Sequence, residues 1–298
     1  MAIEAGSVSV VSVGATKTEG GTRAHKIEIG KKPQVAFEVW DTAPLDWPEE
    51  FDKVFAGSLK DPFSWAEKCV NEYKAKILCV KLQGAHPDFE NKPPEACAKF
   101  ISQLLKKVDV PLIISGCGDD AKDNLVLPLC CEAAKNERCL IGSAVQDNYK
   151  TLVAAVLADE HNIIAESPID INIAKQLNIL ISDMGLPLER IVINPTIGSL
   201  GYGLEYAYSI MERARLAALA GDRTIASPFI CFVGQETWRA KEARISSEEF
   251  PGWGSETERG LAWEFVTAVA LLQAGADMLV MRHPKAIEMI NKNMGTLR

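Results

Sequence analysis

No apolar run in this chain approaches the length needed to cross a bilayer, and its first residues, "MAIEAGSVSV", lack the basic start and long apolar core of a secretory signal. Both absences point to a cytoplasmic protein. No two of the eight cysteines form a C-x-x-C pair, which excludes zinc-ribbon and ferredoxin-type spacing. Most sit in apolar stretches, such as Cys79 in "ILCVKL" and Cys231 in "FICFVG". They read as small core residues in a reducing compartment, and no metal is expected on this chain. Positive charge is short too: 32 Lys and Arg stand against 40 Asp and Glu, for a formal net charge of −8. An acidic surface excludes nonspecific binding to nucleic acid or an anionic membrane, which needs clustered cations.

What the 298 residues do have is rhythm. Two alternating segments, "VSVVSV" (8–13) and "HKIEIG" (25–30), flank a Gly-rich connection and predict a β-hairpin, with residues 1–33 as an N-terminal extension. Short apolar strands follow at 35–40, 77–82, 111–116, 139–144, 163–167, 191–195, 229–234 and 277–282. Helical patterns lie between them. Ser64 with Glu67 fits a capping box, Pro93 and Pro94 open a helix, and Gly185, Gly221 and Gly275 stand where helices should end. Pro284 is placed to open the last helix. Eight strands each followed by a helix predict an α/β fold, a single (β/α)8 TIM barrel domain over 1–298. The open doubly wound sheet is the alternative, but it wants a Gly-rich phosphate turn after its first strand, and "WDTAPLDWPEE" is not one.

In such a barrel, function gathers in the loops after the strands. These loops hold Asp41 and Thr42, Gln83 and Gly84, "GCGDD" (116–120), "QDN" (146–148), "SPID" (167–170), "NPTIGSLGYG" (194–203), "GQETWRAKE" (234–242) and "RHP" (282–284). Amides, hydroxyls and glycines dominate, which suits a large neutral or amphipathic ligand better than a polyphosphate. Trp238 reads as an exposed indole after the seventh barrel strand. Four charges fall inside strands: Glu38, Lys81, Glu166 and Arg282. Lys81 is a candidate Schiff-base lysine, against the simpler expectation that the two bases pair with the two acids across the barrel. Of the four histidines only His283 reaches the functional face, Cys117 has no base placed beside it, and "SLGYGLEYAYS" has no Walker lysine. No self-sufficient catalytic set emerges.

The segments "VAFEVWDTAP", "NPTIGSLGYGLEYAYS" and "FVGQETWRAKEA" resemble the small subunit of the corrinoid iron–sulfur protein, the delta-type subunit of acetyl-CoA decarbonylase/synthase. The resemblance covers nearly the whole chain, and "GQETWRAKEA" is its most specific part. It implies a (β/α)8 barrel paired with a large subunit that carries a four-iron cluster and a corrinoid-binding domain. The cobalt of that corrinoid takes a methyl group from methyltetrahydrofolate through a separate methyltransferase and delivers it to acetyl-CoA synthase. The small subunit is implied to cover one face of the corrinoid, with no catalytic residue and no metal ligand of its own. The nearest approach to the D-x-H-x-x-G cobalt-ligating motif, Asp159 to Ile164, lacks the glycine. Asn194, Thr196, Gly198, Gly234, Gln235, Glu236, Thr237 and Trp238 are the implied cofactor-binding residues, with Trp238 against the ring edge. A pterin-binding methyltransferase barrel, using Asn194 and Asp41, remains the alternative.

Overall fold

A computed structural model describes residues 8–294. Two short strands, β1 (Val11–Val13) and β2 (Ile27–Ile29), form the expected antiparallel hairpin, Val11 facing Ile29 and Val13 facing Ile27. Residues 1–7 of the expected extension lie outside the described residues. The barrel strands are β3 (Gln34–Trp40), β4 (Leu78–Lys81), β5 (Leu112–Ser115), β6 (Leu140–Ala144), β7 (Asn162–Glu166), β8 (Ile191–Asn194), β9 (Ile230–Cys231) and β10 (Met278–Met281). Around them run α1 (Glu49–Phe55), α2 (Pro62–Asn71), α3 (Pro94–Lys107), α4 (Asp120–Ala133), α5 (Tyr149–Ala158), α6 (Ile171–Asp183), α7 (Leu204–Leu219), α8 (Val233–Thr237), α9 (Lys241–Arg244), α10 (Glu256–Ala274) and α11 (Pro284–Asn293). All eight strands pair in parallel, in the order β8-β7-β6-β5-β4-β3-β10-β9. A parallel bridge between Ile193 and Phe229 joins the two ends and closes the barrel.

Several local expectations change. The seventh barrel strand is only two residues long, because the chain turns into α8 at Val233 instead of running on to Gly234. The segment after it is a helical turn, not an open loop. Helix α2 starts at Pro62, ahead of Ser64. The Asp61 carboxylate caps it by accepting from the Phe63 and Ser64 amides, and Ser64 Oγ donates to that carboxylate as well. Asp and Ser cap about equally well, and Pro62 at the first helical position, where its missing N–H costs nothing, fixes the start at Asp61. Gly185, Gly221 and Gly275 do take left-handed φ of 96°, 98° and 107° at helix ends.

Strand periodicity sorts the barrel interior into layers. Ala36, Cys79, Ile113, Leu140, Ile164, Val192, Ile230 and Val280 form one buried apolar cluster with Val11, Val13, Ile27 and Ile29. The hairpin therefore plugs the N-terminal end of the barrel. Asn162 Nδ2 donates to the Ser12 carbonyl at 2.8 Å, and Gly14 N to that of Arg138 at 2.9 Å. Arg23, in the hairpin connection, is almost fully buried. Its Nε meets Glu137 at 2.9 Å, and its guanidinium donates to the carbonyls of Val108 and Leu105. Two residues further along, six of the eight positions are polar, Glu38, Lys81, Ser115, Glu166, Asn194 and Arg282, while Gly142 and Phe232 complete the layer.

Replacing Arg23 with Ala leaves the buried Glu137 carboxylate with its Thr22 donors but without a counter-charge, and should cost about 3–5 kcal/mol in urea unfolding. A loss below about 1 kcal/mol would show that the hairpin is not anchored through this contact.

Candidate functional site

The upper polar layer opens into a cavity of about 490 Å³ at the C-terminal ends of the strands. Lys81, Ser115, Glu166, Asn194 and Phe232 form its floor, and Gln83, Phe89, Cys117, Asp123, Thr196, Gln235 and Arg239 are among its walls.

The four strand charges divide unequally. Arg282 Nη2 meets Glu38 Oε1 at 2.7 Å, both almost fully buried, and Trp40 Nε1 donates to the same oxygen at 2.6 Å. Burial works to raise the Glu38 pKa, but Arg282, with help from Lys81 and Trp40, holds it below the usual carboxylate value. The expected second pair, Lys81 with Glu166, does not form. Glu166 instead accepts from Asn194 Nδ2 at 2.9 Å. Lys81 donates to Gln235 Oε1 at 2.9 Å, with its ammonium 5.5 Å from the centre of the Trp40 ring. Burial depresses the Lys81 pKa, opposed chiefly by Glu38.

Of the eight expected ligand residues, Asn194, Thr196, Gln235 and Glu236 line the cavity. Thr196 has φ of 53°, a left-handed conformation rare for a β-branched residue. It is held there by Asn194 Oδ1, which accepts its amide, and by donation from Oγ1 to the Ser167 carbonyl at 2.7 Å. Glu236 accepts from Gln235 Nε2 at 3.0 Å and Arg239 at 3.1 Å. Gly198 borders a separate recess of about 190 Å³ beside the mouth, with Tyr202, Glu236 and Arg239. A Cβ there would fall 2.0 Å from the Tyr202 carbonyl oxygen, so the loop closes on itself only with glycine.

Gly234, Thr237 and Trp238 do not line the cavity. Gly234 lets α8 lie against β10, since a Cβ would sit 2.7 Å from Arg282 Cγ. Trp238, read from the sequence as exposed, is 4% exposed. The helical turn of α8 swings its indole inward, where it meets Phe51 edge-on at 4.7 Å and stacks by His283 at 6.1 Å. Its Nε1 donates to Glu264 at 3.0 Å. It braces the mouth from behind and cannot pack on a ligand there.

Glu264 lay inside an apolar helical stretch and was not singled out from the sequence. It accepts from Trp238 and from the amides of Arg282 and His283, tying α8, α10 and β10 together. Burial raises its pKa to about 7 against these donors. His283 is lowered to about 4, again mainly by burial. Asp123 was also missed. Its carboxylate reaches back from α4 to accept from the Cys117 and Gly118 amides at 2.8 and 3.1 Å, and burial raises its pKa. The signal was there: Gly116 leaves the space that Asp123 fills, since a Cβ would meet its Oδ2 at 2.2 Å. Burial pushes the Cys117 thiol up to about 12, so it stays protonated. Asp41 is occupied by the Gly84 amide at 2.7 Å and Lys92 at 3.2 Å and does not line the cavity. Among the described residues no group of three or more His, Cys, Asp or Glu is arranged to hold a metal ion.

A carboxyl whose folded pKa is raised contributes stability that is complete below the unfolded value and lost as pH rises through the folded one. Between pH 4.5 and about 7, Glu264 should therefore cost the fold about 3 kcal/mol. His283 acts oppositely, its stability being lost as pH falls from 6.5 towards 4. It cancels when wild type and Glu264→Gln are compared at each pH. Denaturation curves whose difference is flat across this window would contradict the assignment.

Residues 11–293 match the family described as the CO dehydrogenase/acetyl-CoA synthase delta subunit. The acetyl-CoA decarbonylase/synthase complex subunit delta of Methanocaldococcus jannaschii is 34% identical, over 98% of this chain and 75% of its own length. The subunit of the same name from Methanosarcina mazei is 32% identical over 97% and 70%. Among solved structures, dihydropteroate synthase from Xanthomonas albilineans, determined with 4-aminobenzoic acid, superposes with a TM-score of 0.60 at 14% identity, covering 91% of this chain and 95% of that one. The Thermus thermophilus enzyme gives 0.58 at 11% over 96% and 98%. These likenesses establish the TIM-barrel fold; the sequence relatives establish more, and the chain belongs to the CO dehydrogenase/acetyl-CoA synthase delta subunit family.

Proposed function

We propose that this chain is the small subunit of a heterodimeric corrinoid methyl carrier in carbon dioxide fixation by the acetyl-CoA pathway, and that its barrel mouth covers a corrinoid held by the large subunit. In this reading residues 1–298 work as one barrel domain without a catalytic group, and the four-iron cluster belongs to the partner. Eight unpaired, buried cysteines suit a cytoplasmic setting. No helix among the described residues is long and apolar enough to cross a membrane.

The observation that carries this reading is the mouth itself. Its 490 Å³ is far too small to enclose a corrin with its side chains, and its lining mixes amides and hydroxyls with the carboxylates of Asp120, Asp123, Glu166 and Glu236, against which Lys81 and Arg239 make no cationic cradle. Such a ring lies across the opening. Thr196, Gln235 and Glu236 match the amide fringe of a corrin in hydrogen-bonding type, Phe89 and Ile197 add apolar surface beside them, and Asn194 on the floor acts by holding Thr196 in place. The recess at Gly198 is sized for one peripheral arm. Held there, a corrinoid would supply a cobalt able to carry a methyl group from methyltetrahydrofolate, by way of a methyltransferase, to acetyl-CoA synthase. The chain's part is to orient the ring and keep water from its covered face. Lys81 fixes Gln235, and the Trp238–Glu264 contact fixes the helical turn that carries it.

A second reading, a barrel that itself binds a pterin methyl donor, is favoured by the size of the chamber and by Asp123 on its wall with Glu166 and Asn194 on its floor. Asp41 does not serve it. Titrating the isolated chain with methyltetrahydrofolate separates the two: no saturable heat is expected, and a dissociation constant near or below about 10 μM would favour the pterin enzyme.

Gln235→Ala should speed corrinoid loss from the assembled heterodimer roughly tenfold, the worth of about one well-placed hydrogen bond. Unchanged corrinoid occupancy together with an unchanged methylation rate would overturn the proposal.

A further inference from the structure

Arg282 takes up Glu38, and Glu166 is held by Asn194, so the amine of Lys81 is left over. Among the described residues it makes no ion pair and one hydrogen bond, to Gln235 Oε1 at 2.9 Å. An ammonium has three donors, and two of these remain for whatever enters the cavity. Lys81 is nonetheless only 9% exposed, at the end of β4 on the floor of the 490 Å³ chamber. A buried ammonium without a counter-ion is costly, and burial lowers the Lys81 pKa, opposed first by Glu38. That shift enlarges the share of neutral amine, the form that attacks a carbonyl carbon.

The rest of the chamber says what kind of carbonyl compound fits. Gln83 lines it at 7% exposure, and its side-chain amide has no hydrogen-bond partner among the described residues. Ser115 of β5 and Ser143 of β6 add hydroxyls from the neighbouring strands. Such groups match hydroxyls on a ligand. Charge narrows the choice further. Asp120, Asp123, Glu166 and Glu236 outnumber Lys81 and Arg239 on the lining, so a ligand bearing its own carboxylate or phosphate meets a surplus of like charge.

We propose that Lys81 is a covalent binding site for a short, uncharged hydroxyaldehyde, held in the cavity as an imine. The Nζ lone pair adds to the carbonyl carbon, and the π pair of the C=O bond moves to oxygen, which takes a proton. Nitrogen gives one up, leaving a carbinolamine. A second proton on the hydroxyl lets it leave as water while the nitrogen lone pair forms the C=N bond. Loss of the remaining N–H proton balances the step: amine and aldehyde give imine and water, with no oxidant or reductant. Asp123, whose pKa burial raises, and Glu166 are carboxyl groups on the same chamber that can carry these protons. The site belongs to the barrel interior below the mouth and does not rest on the corrinoid reading.

The test incubates the purified chain with glycolaldehyde and cyanoborohydride, which reduces an imine to a stable secondary amine. Peptide mass spectrometry then locates the labelled lysines and times each one. Lys81 is expected to label roughly tenfold faster than the exposed lysines, with a rate that saturates in glycolaldehyde and falls when glyoxylate replaces it. Glu166→Gln should slow labelling at Lys81 and leave the exposed lysines unchanged, and Lys81→Met should abolish the fast label. The exposed lysines of the same chain are the reference, so the wild-type result stands whether or not a variant folds. Labelling of Lys81 no faster than theirs would overturn the proposal. So would a Lys81 rate that rises without saturating, which marks a reactive amine with no binding site. Faster labelling by glyoxylate would assign the chamber to an oxo acid and contradict the proposal as stated.

Discussion

The ion pair between Glu38 and Arg282 settles how the rest of the barrel top is arranged. Below it the interior is apolar and sealed by the hairpin, so neither charge can reach water from that side. A carboxylate in such a place is tolerated only when paired, and Arg282 has the planar, multiple-donor head that suits burial. Its commitment has a consequence. Lys81, on the neighbouring strand, is left without a carboxylate in direct contact and turns to the Gln235 carbonyl oxygen and the face of Trp40. A charge requirement inside the barrel thus sets the position of an amide at its mouth.

Behind the same strand, Glu264 performs the complementary task. Three donors from two segments, the Trp238 indole and the Arg282 and His283 amides, converge on one carboxylate. The turn carrying Gln235 and Glu236 is accordingly held from two directions, by Lys81 in front and by Trp238 on Glu264 behind. A rigid rim of this kind suits a broad ligand that lies across an opening, because little ordering of the rim remains to be done when the ligand arrives.

The fold was legible in the sequence because each barrel strand is a short apolar run and each interruption carries helix signals. The polar layer was legible too, through period-two spacing from the apolar interior to Glu38, Lys81, Glu166 and Arg282. Partner choice among those four was not, since it depends on which strands are neighbours and how far each side chain reaches. Trp238 misled for a related reason. It follows a polar run after a strand, and only the helical turn at Val233, with Glu264 waiting on a helix 26 residues later, takes the indole inward. Glu264 itself was hidden inside an apolar helical pattern. Asp123 sat one turn beyond the residues that drew notice in "GCGDD".

The corrinoid reading turns on whether this barrel covers a ring that another chain holds. The most direct measurement is the absorbance spectrum of the chain purified alone and of the chain assembled with the large subunit, each after addition of cobalamin and removal of the excess. Corrin bands in the assembled sample alone are the expected result. Stoichiometric corrinoid on the isolated chain would contradict it and move the cofactor's primary site onto this barrel.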